Sequence, residues 1–211
     1  MKIGIDIFSL ISKKKTGINW YAYHLIKNLQ KIDKENFYIL FASSIRGYIR
    51  KPYIKRNFEK ENFHVSILFF PQFPPVYNDL FLAPIKLFSS KFDIFHWLNI
   101  SSNNSSNKFI KSKKQIVTIH DLTPLINHFW FVNHHYKEFK YNIIRIVKRV
   151  DKIITVSYNT KNDLIKLLNI CPEKIHVIFE GVGDNFRVID DKTKINEIKK
   201  KYNIHKNYLL C

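Results

Sequence analysis

Seven short apolar runs alternate with stretches whose apolar residues recur every three or four positions, and this alternation is what most restricts the fold. The runs are KIGIDIF (2–8), NFYILFA (36–42), 63–69, FDIFHW (Phe92–Trp97), the segment 116–119 within QIVTIHDLTP, DKIITV (151–156) and 174–179. Each has the length and β-branched or aromatic content of a strand. Between the first two, Ile18, Tyr21, Ala22, Leu25, Leu29 and Ile32 form the stripe of a helix lying on a sheet. Tyr136, Phe139, Ile143, Ile146, Val147 and Val150 repeat the pattern before the sixth run. Further helices are predicted within the basic stretch after 42, over 76–88 and over 192–202. Another carries Leu164, Ile165, Leu167 and Leu168 and opens at the capping-box-like Thr160-x-x-Asp163. This rhythm predicts an α/β fold, a Rossmann-like domain with a mostly parallel sheet flanked by helices.

The fifth run reads as a buried parallel strand that stops at His120 and Asp121, with Pro124 forbidding a helix for the next few residues. Both residues therefore fall at a carboxyl edge, where open α/β sheets bind ligands. An imidazole there exchanges hydrogen bonds near neutral pH, although a histidine followed by an acid serves structure as readily. At the first strand's edge, Gly17 precedes a helix. It either brings backbone N–H groups close to a phosphate or only makes the turn. No G-x-G-x-x-G, P-loop or G-x-S-x-G motif is present. His128, His134 and His135 lack the i, i+4 pairing of a helical zinc site, so no metal is expected.

A chain of 211 residues accommodates one α/β domain and a remnant. Its formal net charge of +18 is an excess of lysine spread along the whole chain. That charge suits peripheral contact with an anionic membrane or reflects biased composition. Without a compact arginine–aromatic cluster, nucleic acid is not an expected partner. Cys171 and Cys211 suggest neither disulfide nor zinc, in keeping with a reducing cytosol. Asp6 interrupts any signal-peptide core, and Pro71, Pro74 and Pro75 break the most apolar stretch. A cytoplasmic protein is expected, with attachment at the inner face of the membrane as the variant of that reading.

The ordered motifs Thr16-Gly17-Ile18-Asn19-Trp20-Tyr21, FDIFH (92–96), VTIHDLTP (117–124), VDKIITVS (150–157), EKIHVI (173–178) and Glu180-Gly181-Val182 resemble the acceptor-side half of a family 4 glycosyltransferase with the GT-B fold. The resemblance implies retaining transfer of a sugar from a nucleotide-diphosphate sugar to an acceptor hydroxyl, sugar or lipid-linked, without a metal or other cofactor. It implies that His120 contacts the donor sugar and reacting region, and that Asp121 supports that loop. Thr16, Gly17 and Ile18 approach the diphosphate, and Trp97, Asn99 and Ser157 line the acceptor cleft. It divides the chain into an acceptor-side domain, 1–186, and an interdomain helix with the first strand of a donor-binding domain, 187–211. The resemblance further implies that the carboxyl-terminal domain lies outside this sequence, so the fragment alone is expected to be inactive. Two positions depart from the family pattern: Asn19 stands where relatives often carry glycine, and Gly183 where an acid is common. The alternative from another class is a non-catalytic basic module for an anionic membrane or polymer.

Overall fold

The computed structural model describes residues 1–12, 16–68, 92–100, 110–183, 186–206 and 208. The helix predicted over 76–88, the loops at 71–75 and 101–107 and the strand start at 209–211 lie outside the described residues. Seven strands form one sheet: β1 Lys2–Asp6, β2 Phe37–Ser43, β3 Phe63–Leu68, β4 Phe92–Trp97, β5 Ser112–Ile119, β6 Lys152–Thr155 and β7 Ile175–Val177. Their order is β3-β2-β1-β4-β5-β6-β7, and every neighbouring pair is parallel. The chain order reverses between β1 and β4, so the carboxyl ends of these two strands flank the crevice where doubly wound sheets take ligands.

The described helices are α1 Gly17–Ile32, α2 Ile45–Phe58, α3 Thr123–Ile126, α4 Asn133–Arg149, α5 Tyr158–Leu168 and α6 Lys192–Lys201. Two apolar clusters hold the sheet. One joins β1–β3 to α1 and α2 through Ile5, Leu40, Val65, Ile26 and Ile54; the other joins β4–β7 to α4 and α5 through Phe95, Val117, Ile153, Ile143 and Leu164. Leu40 and Phe41, adjacent in β2, enter different clusters because successive strand side chains point to opposite faces.

Three expectations need correction. Pro124 does not forbid a helix, because it lies in the first turn of the one-turn α3, where its missing N–H costs nothing. Thr160 does not open α5. Ser157 is the cap, its Oγ accepting the Thr160 N–H at 3.1 Å, because Ser157 is the residue still extended as the chain leaves β6. Along α1 the fully buried line is Asn19, Ala22, Ile26 and Gln30, whereas Ile32 is exposed. Gln30 tolerates burial by donating from its amide to the Phe58 carbonyl at 2.6 Å.

The chain divides into two compact units, Met1–Glu180 and Gly181–Cys211. The first contains the whole sheet; the second contains α6, capped by Asp191 and without a buried residue.

Candidate functional site

The carboxyl edge of the sheet at β1, β4 and β5 gathers the chemistry-bearing residues of the first unit. His120 leaves β5 directly after the buried Ile119. Its Nε2 lies 3.1 Å from the Leu98 carbonyl oxygen, which only accepts, so Nε2 carries a proton. Nδ1 lies 3.1 Å from Glu180 Oε1, and a second proton between these atoms makes the contact an ion pair when it rests on nitrogen. The Thr160 hydroxyl donates to the His120 carbonyl at 3.0 Å. With ring and backbone both engaged, a ligand reaches Nδ1 by displacing Glu180, whose side chain is 48% exposed.

Tyr21 meets the imidazole edge-on, with ring centroids 4.9 Å apart. Behind it runs a polar chain: Tyr21 Oη lies 3.1 Å from Thr118 Oγ1, which lies 2.8 Å from His96 Nε2. Burial raises the Tyr21 pKa, and burial pulls His96 down to about 4, so His96 is neutral at pH 7. On the neighbouring β1, burial pushes the Asp6 carboxyl up to about 7, against the Phe8 N–H that donates to its Oδ1 at 3.1 Å.

The first turn of α1 precedes Tyr21, whose ring meets the imidazole, by one helical turn. Thr16 is the N-cap and Gly17 the first helical residue; both are exposed, and Ile18 is partly buried. Asn19 ties the turn down. Its Oδ1 accepts from the Thr16 N–H at 2.8 Å and the Thr16 hydroxyl at 2.6 Å, while its amide donates to the Ser9 carbonyl. A Cβ built on Gly17 would meet nothing within 4 Å, and its φ is not positive, so neither packing nor backbone requires glycine there. What the arrangement offers is the first turn of a 16-residue helix, in which the Gly17 and Ile18 N–H groups have no partner within the helix and carry the partial positive charge of a helix N-terminus.

Asp121 is exposed, and its Oδ1 accepts the Thr123 N–H at 2.9 Å, closing the turn that starts α3. Ser157 acts as the α5 cap and touches Thr160, which in turn holds the His120 carbonyl. Asn99 is partly exposed beside Leu98. Trp97 does not line a cleft: its side chain is 2% exposed and packs on Phe95 with centroids 4.3 Å apart. The alternation of β4 sends Trp97 into the core and His96 to the opposite face, toward Thr118. Glu180, Tyr21 and His96 are the members that the sequence placed elsewhere, in a turn, a core stripe and a strand. Among the described residues no group of three or more His, Cys, Asp or Glu could hold a metal ion.

Comparison with known proteins places this edge in context. The model of Glycosyltransferase Family 4 matches residues 15–186. The serotype-specific mannosyltransferase WbdA of Escherichia coli is 28% identical over 99 residues, 46% of this chain and 12% of its own length. The O-antigen chain mannosyltransferase RfbU of Salmonella typhimurium is 34% identical over 71 residues, 34% of this chain and 20% of its own. In structure the chain is similar to Anabaena HepE in complex with UDP, with a TM-score of 0.54 and 14% identity over 96% of this chain and 50% of that one. HepE with UDP-glucose gives a TM-score of 0.55 over the same shares. The chain thus spans about half the length of the solved relatives, and its aligned segments a fifth or less of the mannosyltransferases. A family match over residues 15–186, from the start of α1 past Glu180, establishes that the chain belongs to Glycosyltransferase Family 4.

Proposed function

We propose that this chain is the acceptor-side half of a retaining transferase that moves a hexose from a nucleotide-diphosphate sugar to an acceptor hydroxyl in the synthesis of a cell-surface polysaccharide or glycolipid. The observation that carries this reading is the nearness of an open helix N-terminus to a held imidazole: Tyr21, one turn after Gly17, touches the His120 ring. In the reaction the bond from the anomeric carbon to the diphosphate oxygen breaks as a bond to the acceptor oxygen forms, and the acceptor's proton passes to the leaving diphosphate. Negative charge grows on the leaving diphosphate, and the N–H groups at Gly17 and Ile18 stabilise it where it develops. His120, on displacing Glu180, turns Nδ1 toward the donor sugar while Leu98 fixes the ring through Nε2. Asp121 and Ser157 keep the loop and the next helix in register with the ring. On this reading the remaining charge is met by basic residues of a donor-holding domain, with no metal. The 211-residue chain alone binds weakly and does not turn over.

The mannosyltransferase names of two relatives and the UDP bound by HepE support a hexosyl donor carried on a nucleotide. No helix among the described residues is long and apolar enough to cross a membrane, which is compatible with a cytoplasmic site of action.

The test joins the chain to a donor-holding domain and compares wild type with His120→Ala. Sugar transfer is expected to fall about 100-fold or more at unchanged unfolding midpoint. Near-normal transfer removes His120 from the reacting centre. A second reading, a non-catalytic basic module, is favoured by the +18 charge alone. It prevails if the completed protein binds no nucleotide sugar while its binding to polyanions falls steeply with salt.

A further inference from the structure

Five residues beyond Asp121 the chain turns a corner that is unusually apolar for a surface. Phe129 is 70% exposed, Trp130 65% and Val132 63%, with Ile126 48% exposed beside them. The Phe129 and Trp130 rings meet edge-on at 6.0 Å, so they form one raised cluster. With Phe131, five large exposed apolar side chains fall within seven residues, more than the scattered single ones of an ordinary surface.

The helix that follows carries a matching charge pattern. His134, Lys137, Tyr141, Arg145 and Lys148 recur at spacings of three and four along α4, and all five are exposed. The stripe lies opposite the buried Ile143 and Val147. The one acid of the helix, the partly buried Glu138, borders it four residues after His134 and three before Tyr141. Tyr141 is clamped by Arg145, whose guanidinium lies 5.0 Å from the ring centroid and donates to the phenol oxygen at 3.3 Å. Lys137, Arg145 and Lys148 form no ion pair among the described residues. The stripe extends about 21 Å along the helix.

We propose that the corner at 126–132 and the basic stripe of α4 together dock the chain on an anionic lipid bilayer. Tryptophan, phenylalanine and aliphatic side chains at the corner enter the boundary between headgroups and acyl chains, while the lysine and arginine heads meet lipid phosphates. Charge complementarity selects this occupant. A single sugar acceptor has no use for cations spread over about 21 Å, and a nucleic acid has none for an apolar corner that includes Ile126 and Val132. The docked element continues the same loop as His120 and Asp121, so the ligand edge of β5 lies next to the bilayer surface. The inference rests on the proposed function only in what it adds, a lipid-borne acceptor; docking itself needs no sugar.

The experiment sediments the purified chain with vesicles of phosphatidylcholine alone or mixed with phosphatidylglycerol, at low and high salt. Binding to the mixed vesicles is expected to be roughly tenfold or more tighter at low salt and to weaken at high salt. Phe129→Ser with Trp130→Ser, and separately Lys137→Glu with Lys148→Glu, are each expected to reduce it roughly tenfold. These side chains are exposed, so circular dichroism and urea midpoints stay unchanged. Brominated lipid is expected to quench tryptophan emission in wild type, and Trp130→Phe to abolish the quenched fraction. Wild-type-like binding by either double variant overturns the proposal, as does equal affinity for duplex DNA without lipid quenching. A dimer that the Phe129/Trp130 variant dissociates, with vesicle binding unchanged, assigns the corner to a second copy instead. Because no sugar enters the assay, its failure leaves the transferase reading standing, and loss of transfer in His120→Ala leaves docking standing.

Discussion

Asp6 and His96 stand on the neighbouring strands β1 and β4, and burial acts on them in opposite senses. The folded chain holds a proton on Asp6 up to about pH 7, whereas an unfolded aspartate releases it near pH 4, so this residue makes stability fall as pH rises between those values. Folded His96 stays neutral down to about pH 4, whereas an unfolded histidine protonates near 6.5, so it makes stability rise across almost the same window. The two slopes oppose each other in the wild type. Removing one exposes the other: relative to wild type, Asp6→Asn is expected to gain stability from about pH 4 to 7, and His96→Gln to lose it from about pH 4 to 6.5. Each change amounts to roughly 2–4 kcal/mol, read from urea unfolding across the window. Parallel curves for all three proteins would show that neither group is desolvated as described. At this scale the sequence placed His120 and Asp121 just past the carboxyl end of β5 and Gly17 at the start of α1, where the structure has them. Glu180 was not, because it meets His120 across sixty residues of chain, and no local pattern encodes such a contact. Tyr21 was read as part of a core stripe; its ring does pack inward, but its hydroxyl ends in the polar chain to His96.

Strands and helices here are set by what their neighbours leave room for. Gly4 lies in β1 directly across from Phe95 of β4. A Cβ at Gly4 would stand 2.4 Å from Phe95 Cδ2, 2.7 Å from Cε2 and 3.1 Å from Phe92 Cδ1. Phe95 is fully buried, so its ring has no solvent to swing into. Gly4→Ala is therefore expected to cost about 1–3 kcal/mol and to loosen the β1–β4 seam on which the ligand edge depends, measurable as a lower urea midpoint and faster amide exchange in β1. An unchanged midpoint would mean that the seam adjusts freely. The same dependence explains where periodicity misled. The apolar stripe of α1 ended on Ile32, yet the fold buries Asn19, whose amide is bonded to the backbone at both ends, and Gln30, whose NH2 donates to the Phe58 carbonyl while its Oε1 has no partner among the described residues. Pro124 reads as a breaker until its place in a first turn is known.

For the molecule as a whole, all seven strands and both apolar clusters belong to Met1–Glu180. A chain stopped at Val182 is expected to fold cooperatively with the urea midpoint and circular dichroism of the full sheet, since α6 contributes no buried residue. A molten or aggregated product would show that the second unit is needed for the first to fold. By itself the sequence determined the fold class, the order of strands along the chain, the family resemblance and the place of His120 just past a carboxyl strand end. These follow from local periodicity, composition and short motifs, which are readable one segment at a time. Only the tertiary structure decided that Trp97 is core while His96 faces Thr118, that Glu180 closes on His120, and that Phe129 and Trp130 stay exposed. Which face of a strand is buried, and which distant residue completes a hydrogen bond, are settled by the packing of the rest of the chain.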